Sequence, residues 1–137
     1  MEPASGQKKR RGRPAGKTAD TRERIIDAAR EVYGEHGTYG TTVALILKQA
    51  QVSRPTFYKY FSSAVDVIDE VVRQCNQEVE QLFVRIFEQP QKEFYDYLPM
   101  ALSGYLNWGR SQGLLMEARF RELHDRSSPV SRYRDEH

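Results

Sequence analysis

Cysteine is almost absent from this sequence: Cys75 is the only one among 137 residues. No disulfide can form within the chain, and a reducing interior is its natural compartment. Long apolar runs are missing as well. The longest, Val43 to Leu47, falls far short of the ~20 residues that a membrane-spanning helix needs, and no apolar signal-peptide core follows the basic N-terminus. A soluble, cytoplasmic protein with no membrane partner is expected. There is no internal repeat and no strand-like alternation of useful length, which leaves an all-α fold as the prediction. Catalytic patterns are equally lacking. His36, His124 and His137 are scattered, no cluster has metal-ligand spacing, and no nucleophile motif is present, so neither an enzyme nor a metal or organic cofactor is expected.

Negative charge is missing from one long internal stretch. Between His36 and Val65 there is no Asp or Glu, while Lys48, Arg54 and Lys59 are present. Such a surface can approach phosphates without like-charge repulsion. The net charge of the whole chain is only +2, yet residues 1 to 24 hold eight Lys/Arg against three acids. The excess positive charge is an N-terminal feature.

Residues 1–19 combine Pro, Gly, Ala and charge with no aliphatic side chain beyond Met1. They cannot bury enough apolar surface to offset their ordering entropy, and a disordered basic DNA-binding tail is predicted. A folded domain is predicted over 20–63. Asp20 and Glu23 have capping-box spacing, Ile25, Ala28, Ala29, Val32 and Tyr33 form a helical stripe, and Gly34 and Gly37 mark its end. Thr42 precedes a second short helix as N-cap. Ser53 precedes a third, with Pro55 tolerable in its first turn. Residues 64–137 then form a further, partial helical domain. It opens with a long helix whose Val65, Ile68, Val72, Cys75, Val79, Leu82 and Ile86 recur by threes and fours. That spacing suits a coiled coil too, but Val67, Val71, Phe83 and Phe87 widen the stripe and favour a core helix. Pro99 either starts a further helix or kinks one, Gly113 to His124 reads as helical, and Ser128-Pro129 resembles another helix start close to His137. The sequence is expected to end inside an element.

A helix, a short turn and a second helix opening on Ser-Arg-Pro-Thr is the sequence form of a helix-turn-helix. Phe57 and Phe61, one turn apart, are expected to face the core. Arg54, Thr56, Tyr58, Lys59 and Tyr60 are left to face outward, where guanidinium, hydroxyl and ammonium groups suit a major groove. A helical hairpin with snorkelling Tyr and Arg is the plainer alternative.

Residues 21–63, TRERIIDAAREVYGEHGTYGTTVALILKQAQVSRPTFYKYFSS, resemble the DNA-binding domain of TetR-family transcription regulators. The likeness lies in an Ile-x-x-Ala-Ala first helix, a Gly-x-x-Gly exit, a Thr-Thr start to helix two, and Val-Ser-x-x-Thr-Phe-Tyr-x-Tyr-Phe for the turn and recognition helix. The resemblance implies a repressor that is a homodimer, sets its third helices in successive major grooves of a double-stranded DNA operator, and is released by an inducer bound in a helical body. It implies phosphate contacts at Thr42 and Tyr60 and a groove-facing set of Arg54, Pro55, Thr56, Tyr58 and Lys59. This sequence departs from the family pattern at three points: Ala44-Leu45 replaces Arg-Asp, Gln51 replaces the turn glycine, and Ala64 replaces the lysine that opens helix four. The family's last two long helices, which form its dimer interface, are expected to be missing.

Arg10, Arg11, Gly12 and Arg13, followed by Pro14, resemble an AT-hook. The glycine lets backbone lie on the floor of the minor groove, and the arginines seek its negative potential; the alternative is a loose polycation. In the second half, Phe83, Phe87, Tyr105 and Trp108 are the candidate lining of a pocket for an apolar or aromatic inducer, set against the possibility that they are ordinary core. Two functions follow: an inducer-released transcription regulator, or a constitutive or architectural DNA-binding protein without an effector.

Overall fold

Six helices make up the regular structure of the computed structural model, which describes residues 15–90 and 93–128. They are α1 (Ala15–Gly40), α2 (Val43–Ala50), α3 (Arg54–Tyr58), α4 (Ala64–Phe87), α5 (Phe94–Ser111) and α6 (Leu114–Arg121). Every element among the described residues is helical, as the sequence predicts.

Local chemistry sets most of the boundaries. Thr42, Ser53 and Ser63 adopt extended backbone, and each hydroxyl accepts the amide of the residue three positions on, at 3.3, 3.3 and 3.1 Å. The Asp66 carboxylate reaches back to the Ser62 amide at 2.8 Å rather than to that of Ser63. Glu93 and Asp96 form a reciprocal capping box at the start of α5, which accommodates Pro99 in its interior.

Helix α1 departs from expectation at both ends. It begins at Ala15, ahead of the Asp20 predicted to cap it, so residues 15–19 extend the helix instead of belonging to a disordered tail. Ala15, Lys17 and Ala19 are good helix formers, and the single Gly16, in the first turn, does not end the run. The rest of the tail, including Arg10, Arg11, Gly12 and Arg13, lies outside the described residues. At the other end Gly34 does not stop the helix. It is a contact point, where an added Cβ would stand 3.0 Å from the Leu115 amide nitrogen. The helical path breaks at Gly37, with φ 70° and ψ −178°.

One core joins the first three helices to the rest. Ile25, Ile26, Ala29 and Tyr33 of α1 pack with Ile46 of α2, Phe57, Phe61, and Val67, Ile68, Val71, Val72 and Cys75 of α4. Leu115 and Ala118 of α6 close it from the far side of α1. The stripe of α4 is thus buried within its own chain, although Val65 at its start is exposed. Toward the other end of α4 burial declines. Only Ile86 is fully inside beyond Cys75, and α5, which rests on α4, contributes no buried residue.

A carboxylate just past α6 ties it to the C-terminal part of α1. Glu122 accepts hydrogen bonds from the Thr38 amide (2.7 Å), the Thr38 hydroxyl (2.6 Å), the Tyr33 hydroxyl (2.9 Å) and the Ser128 hydroxyl (3.0 Å). Any Cβ at position 37 would lie 2.8 Å from this carboxylate. Gly37 is therefore required twice, by its positive φ and by the approach of Glu122. Burial and the neighbouring Glu122 charge raise the Tyr33 phenol far above its ordinary value.

Candidate nucleic-acid interface and adjoining cavity

Helix α3 is anchored by Phe57, which is fully buried and meets Phe61 at 5.9 Å and Tyr58 edge-on at 5.3 Å between ring centroids. This anchor leaves Arg54, Pro55, Tyr58 and Lys59 exposed on one short helix, with Thr42 and Lys48 exposed on α2. Thr56 and Tyr60, expected to face outward, are half-buried. The Thr56 hydroxyl lies 2.8 Å from that of Ser53 and belongs to the cap, while Tyr60 packs against the core. Thr56 is drawn in by its bond to the cap, and Tyr60 by its place next to the buried Phe61.

The turn between α2 and α3 carries a strained residue. Gln51 adopts left-handed backbone, φ 53° and ψ 48°, at the position where a glycine would sit without strain. Arg24 of α1 holds this turn from below, donating to the Ala50 carbonyl at 2.7 Å and the Gln51 carbonyl at 3.4 Å. Sequence reasoning missed Arg24, because its partner lies 26 positions away.

A second tie secures the helix-turn-helix to α4. Arg22 reaches Glu70 at 3.2 Å and lies 5.4 Å from the centre of the Phe61 ring, and Glu70 also binds Arg73. The hydrogen bond from Arg73, opposed by partial burial and reinforced by Arg22, holds the Glu70 carboxyl below its ordinary value.

Residues 25–71 match the family model described as bacterial regulatory proteins, tetR family. Over these residues, about a third of its length, the chain is similar to the helix-turn-helix domain of that family. The HTH-type transcriptional regulator UidR of Escherichia coli is 32% identical over 80 residues, covering 57% of this chain and 39% of UidR. YhgD of Bacillus subtilis, an uncharacterized HTH-type transcriptional regulator, is 26% identical over 98 residues, covering 72% of this chain and 51% of YhgD. The chain thus spans about half or less of the curated relatives it matches. Among solved structures, a protein from Syntrophomonas wolfei assigned to TetR-family transcriptional regulators superposes with a TM-score of 0.71 at 18% identity, over 86% of this chain and 60% of the other. That likeness extends the TetR-type fold beyond the matched domain, into the helical body of α4 to α6.

The body of this TetR-type fold contains a cavity of about 340 Å³ between α4, α5 and α6, lined by Asn76, Val79 and Glu80, by Tyr105 and Trp108, and by Met116, Arg119, Phe120 and Leu123. Two of the four predicted pocket residues, Tyr105 and Trp108, line it. Phe83 and Phe87 do not. They share a face of α4 with Asn76 and Glu80 but lie one and two turns farther along, where they stack with Tyr105 and Tyr97 at the α4–α5 seam. The residues that sequence reasoning missed are chiefly those of α6. Met116, Arg119 and Leu123 recur at helical spacing around Phe120, which already counted among the aromatics of the second half, and so short a stripe is a weak signal.

Hydrogen bonds connect the cavity wall to α1. Trp108 donates its indole N–H to Glu78 at 2.9 Å, and Glu78 pairs with Arg30 of α1 at 3.1 Å. From the opposite wall, Glu122 lies in the α6 segment that carries Arg119, Phe120 and Leu123, and it grips Thr38 four residues before Thr42. Among the described residues no group of three His, Cys, Asp or Glu could hold a metal, and no helix is long and apolar enough to cross a membrane. Burial raises the Cys75 thiol above its ordinary value, which disfavours the reactive thiolate.

Proposed function

We propose that the protein is a sequence-specific transcription regulator, a repressor that binds operator DNA as a homodimer and is released by a small apolar or aromatic inducer. The observation that carries this reading is the exposed face of α2 and α3. Arg54, Pro55, Tyr58 and Lys59 stand out from a helix pinned by Phe57, with no acidic side chain from His36 to Val65 to repel phosphates. Arg54, in the first turn, and Lys59 are the leading base readers, and Pro55 is suited to apolar contact with a thymine methyl. Thr42 is exposed at the start of α2, with its oxygen committed to the cap and its O–H proton available to a phosphate oxygen. Thr56 and Tyr60 support the others at the edge of the contact. Arg10, Arg11, Gly12 and Arg13 contact the adjoining minor groove. The cavity beside α4, connected to α1 on both sides, favours release by an effector over constitutive or architectural binding.

Selection of duplexes from a randomised pool, followed by footprinting, tests the reading. A pseudo-palindrome with half-sites about one helical turn apart is expected, on the order of 10 bp. Arg54→Ala should weaken binding to the selected site by about 1–3 kcal/mol and relax preference at one base position per half-site. Equal weakening on scrambled DNA would place Arg54 on the phosphates, and failure to select any sequence would leave only an architectural protein.

A further inference from the structure

The polar groups of the α4–α5–α6 cavity are unevenly distributed, and the imbalance bears on charge. Arg119 is half-buried in the wall and donates to the side-chain oxygen of Asn76 at 2.9 Å. None of the ion pairs among the described residues involves it. Glu122, just past the end of α6, directs its carboxylate at Thr38 and Tyr33 instead. Because Asn76 spends its oxygen on Arg119, the group it has left to offer is its amide NH2, a second donor. The indole N–H of Trp108 is committed to Glu78, so Trp108 presents only π surface and apolar edge to a ligand. The one carboxylate in the wall, Glu80, is exposed at the rim, where water screens it. Inside, the cavity offers the guanidinium of Arg119, which also meets the Cys75 thiol, an amide donor, and three aromatic side chains, of which Tyr105 and Trp108 stand 5.7 Å apart.

From this arrangement we infer that the cavity takes a planar aromatic carboxylate, with its ring against Trp108 and Tyr105 and its carboxylate on Arg119 and the Asn76 amide. A guanidinium held without an acidic partner in a partly desolvated wall favours an anion, and its fork matches the two oxygens of a carboxylate. The volume, about 340 Å³, is near the lower end of ligand pockets, which run from roughly 300 to 1,000 Å³, and it suits one or two rings rather than a long chain. The inference rests on the effector reading above and narrows its inducer from apolar or aromatic to aromatic and anionic.

Three probes of one shape and different charge test it: cinnamate, cinnamamide and cinnamylammonium. Trp108 is the only tryptophan in the chain, so its emission reports occupancy of this cavity alone. Calorimetry on the intact chain supplies the affinities. Cinnamate is expected to bind at least tenfold more tightly than the amide and to change Trp108 emission. Arg119→Gln should abolish that difference and leave amide binding in place, whereas Arg119→Lys, which keeps the charge, should retain part of it. If Arg119→Gln does not fold, the ranking of the three probes on the natural chain still decides. Equal binding of acid and amide would overturn the anion inference and leave a neutral effector. A preference for the ammonium would overturn it in favour of Glu80. If none of the three perturbs Trp108 at millimolar concentration, the aromatic-carboxylate inference falls, and the effector reading is judged separately by whether any apolar compound that quenches Trp108 releases selected DNA. Cinnamate that binds with the expected preference but does not release selected DNA sustains the anion site and removes the inducer role.

Discussion

Replacing Glu122 with alanine would remove one carboxylate and strand several donors at once. Tyr33 is 0% exposed and Thr38 9%, and both depend on Glu122 for hydrogen bonds of 2.6 to 2.9 Å. A buried donor left without a partner costs about 1–3 kcal/mol. The Tyr33 hydroxyl and the Thr38 amide are two such groups, and their partner is charged, so the expected loss is about 3–5 kcal/mol. That is a large share of the ~5–15 kcal/mol by which domains are stable. Urea unfolding followed by far-UV circular dichroism measures it, and the midpoint should move with little change in slope. Glu122→Gln keeps one acceptor oxygen but turns an NH2 toward other donors, and should fall between the natural protein and alanine. Tyr33→Phe supplies the internal check. Alone it removes one partner of the carboxylate and costs about 1 kcal/mol or more, but in the Glu122→Ala background, where the hydroxyl keeps only Thr38 as a partner, it should cost clearly less. Additive losses, or a cost below about 1 kcal/mol for Glu122→Ala, would show that α6 is not anchored through this carboxylate.

The turn at Gln51 predicts a gain: Gln51→Gly should stabilise by about 0.5–1 kcal/mol in the same unfolding assay, the relief of a left-handed non-glycine residue less the entropy glycine adds to the unfolded chain. Acid stability should depend on Glu70, whose carboxyl is lowered in the folded state from a value of 4.5. A lowered group contributes stability that is present above its unfolded value and lost as pH falls through its folded one, so Glu70→Gln should flatten the fall in unfolding midpoint below about pH 4.5. Changing Arg11 and Arg13 to Lys should erase any preference for A·T-flanked over G·C-flanked operators in competition binding and retain most of the salt dependence. If the natural chain shows no flank preference, the tail is a polycation and not a minor-groove element.

Elements decided within a few residues were open to sequence reasoning. Thr42, Ser53 and Ser63 cap the helices they precede, since a hydroxyl three residues ahead of an amide needs no tertiary partner to find it. The stripe of α4 and the inward Phe57 and Phe61 followed from helical period alone. The acid-free stretch is a property of composition, and the exposed Arg54, Pro55, Tyr58 and Lys59 needed only the knowledge that Phe57 points the other way. Pieces of the chain far apart in sequence decided the rest. Gly34 looked like a helix stop until Leu115 packed against it, and the break moved to Gly37, where Glu122 approaches across more than eighty residues. Phe83 and Phe87 carried the same aromatic signal as Tyr105 and Trp108, and only the position of α6 along α4 separated cavity lining from seam. Arg24 beneath the Gln51 turn and Arg119 in the cavity are ordinary helix-surface arginines by sequence. Their roles come from what the fold brings to them, because a long charged side chain takes its meaning from the nearest acceptor, and local sequence does not say which one that will be.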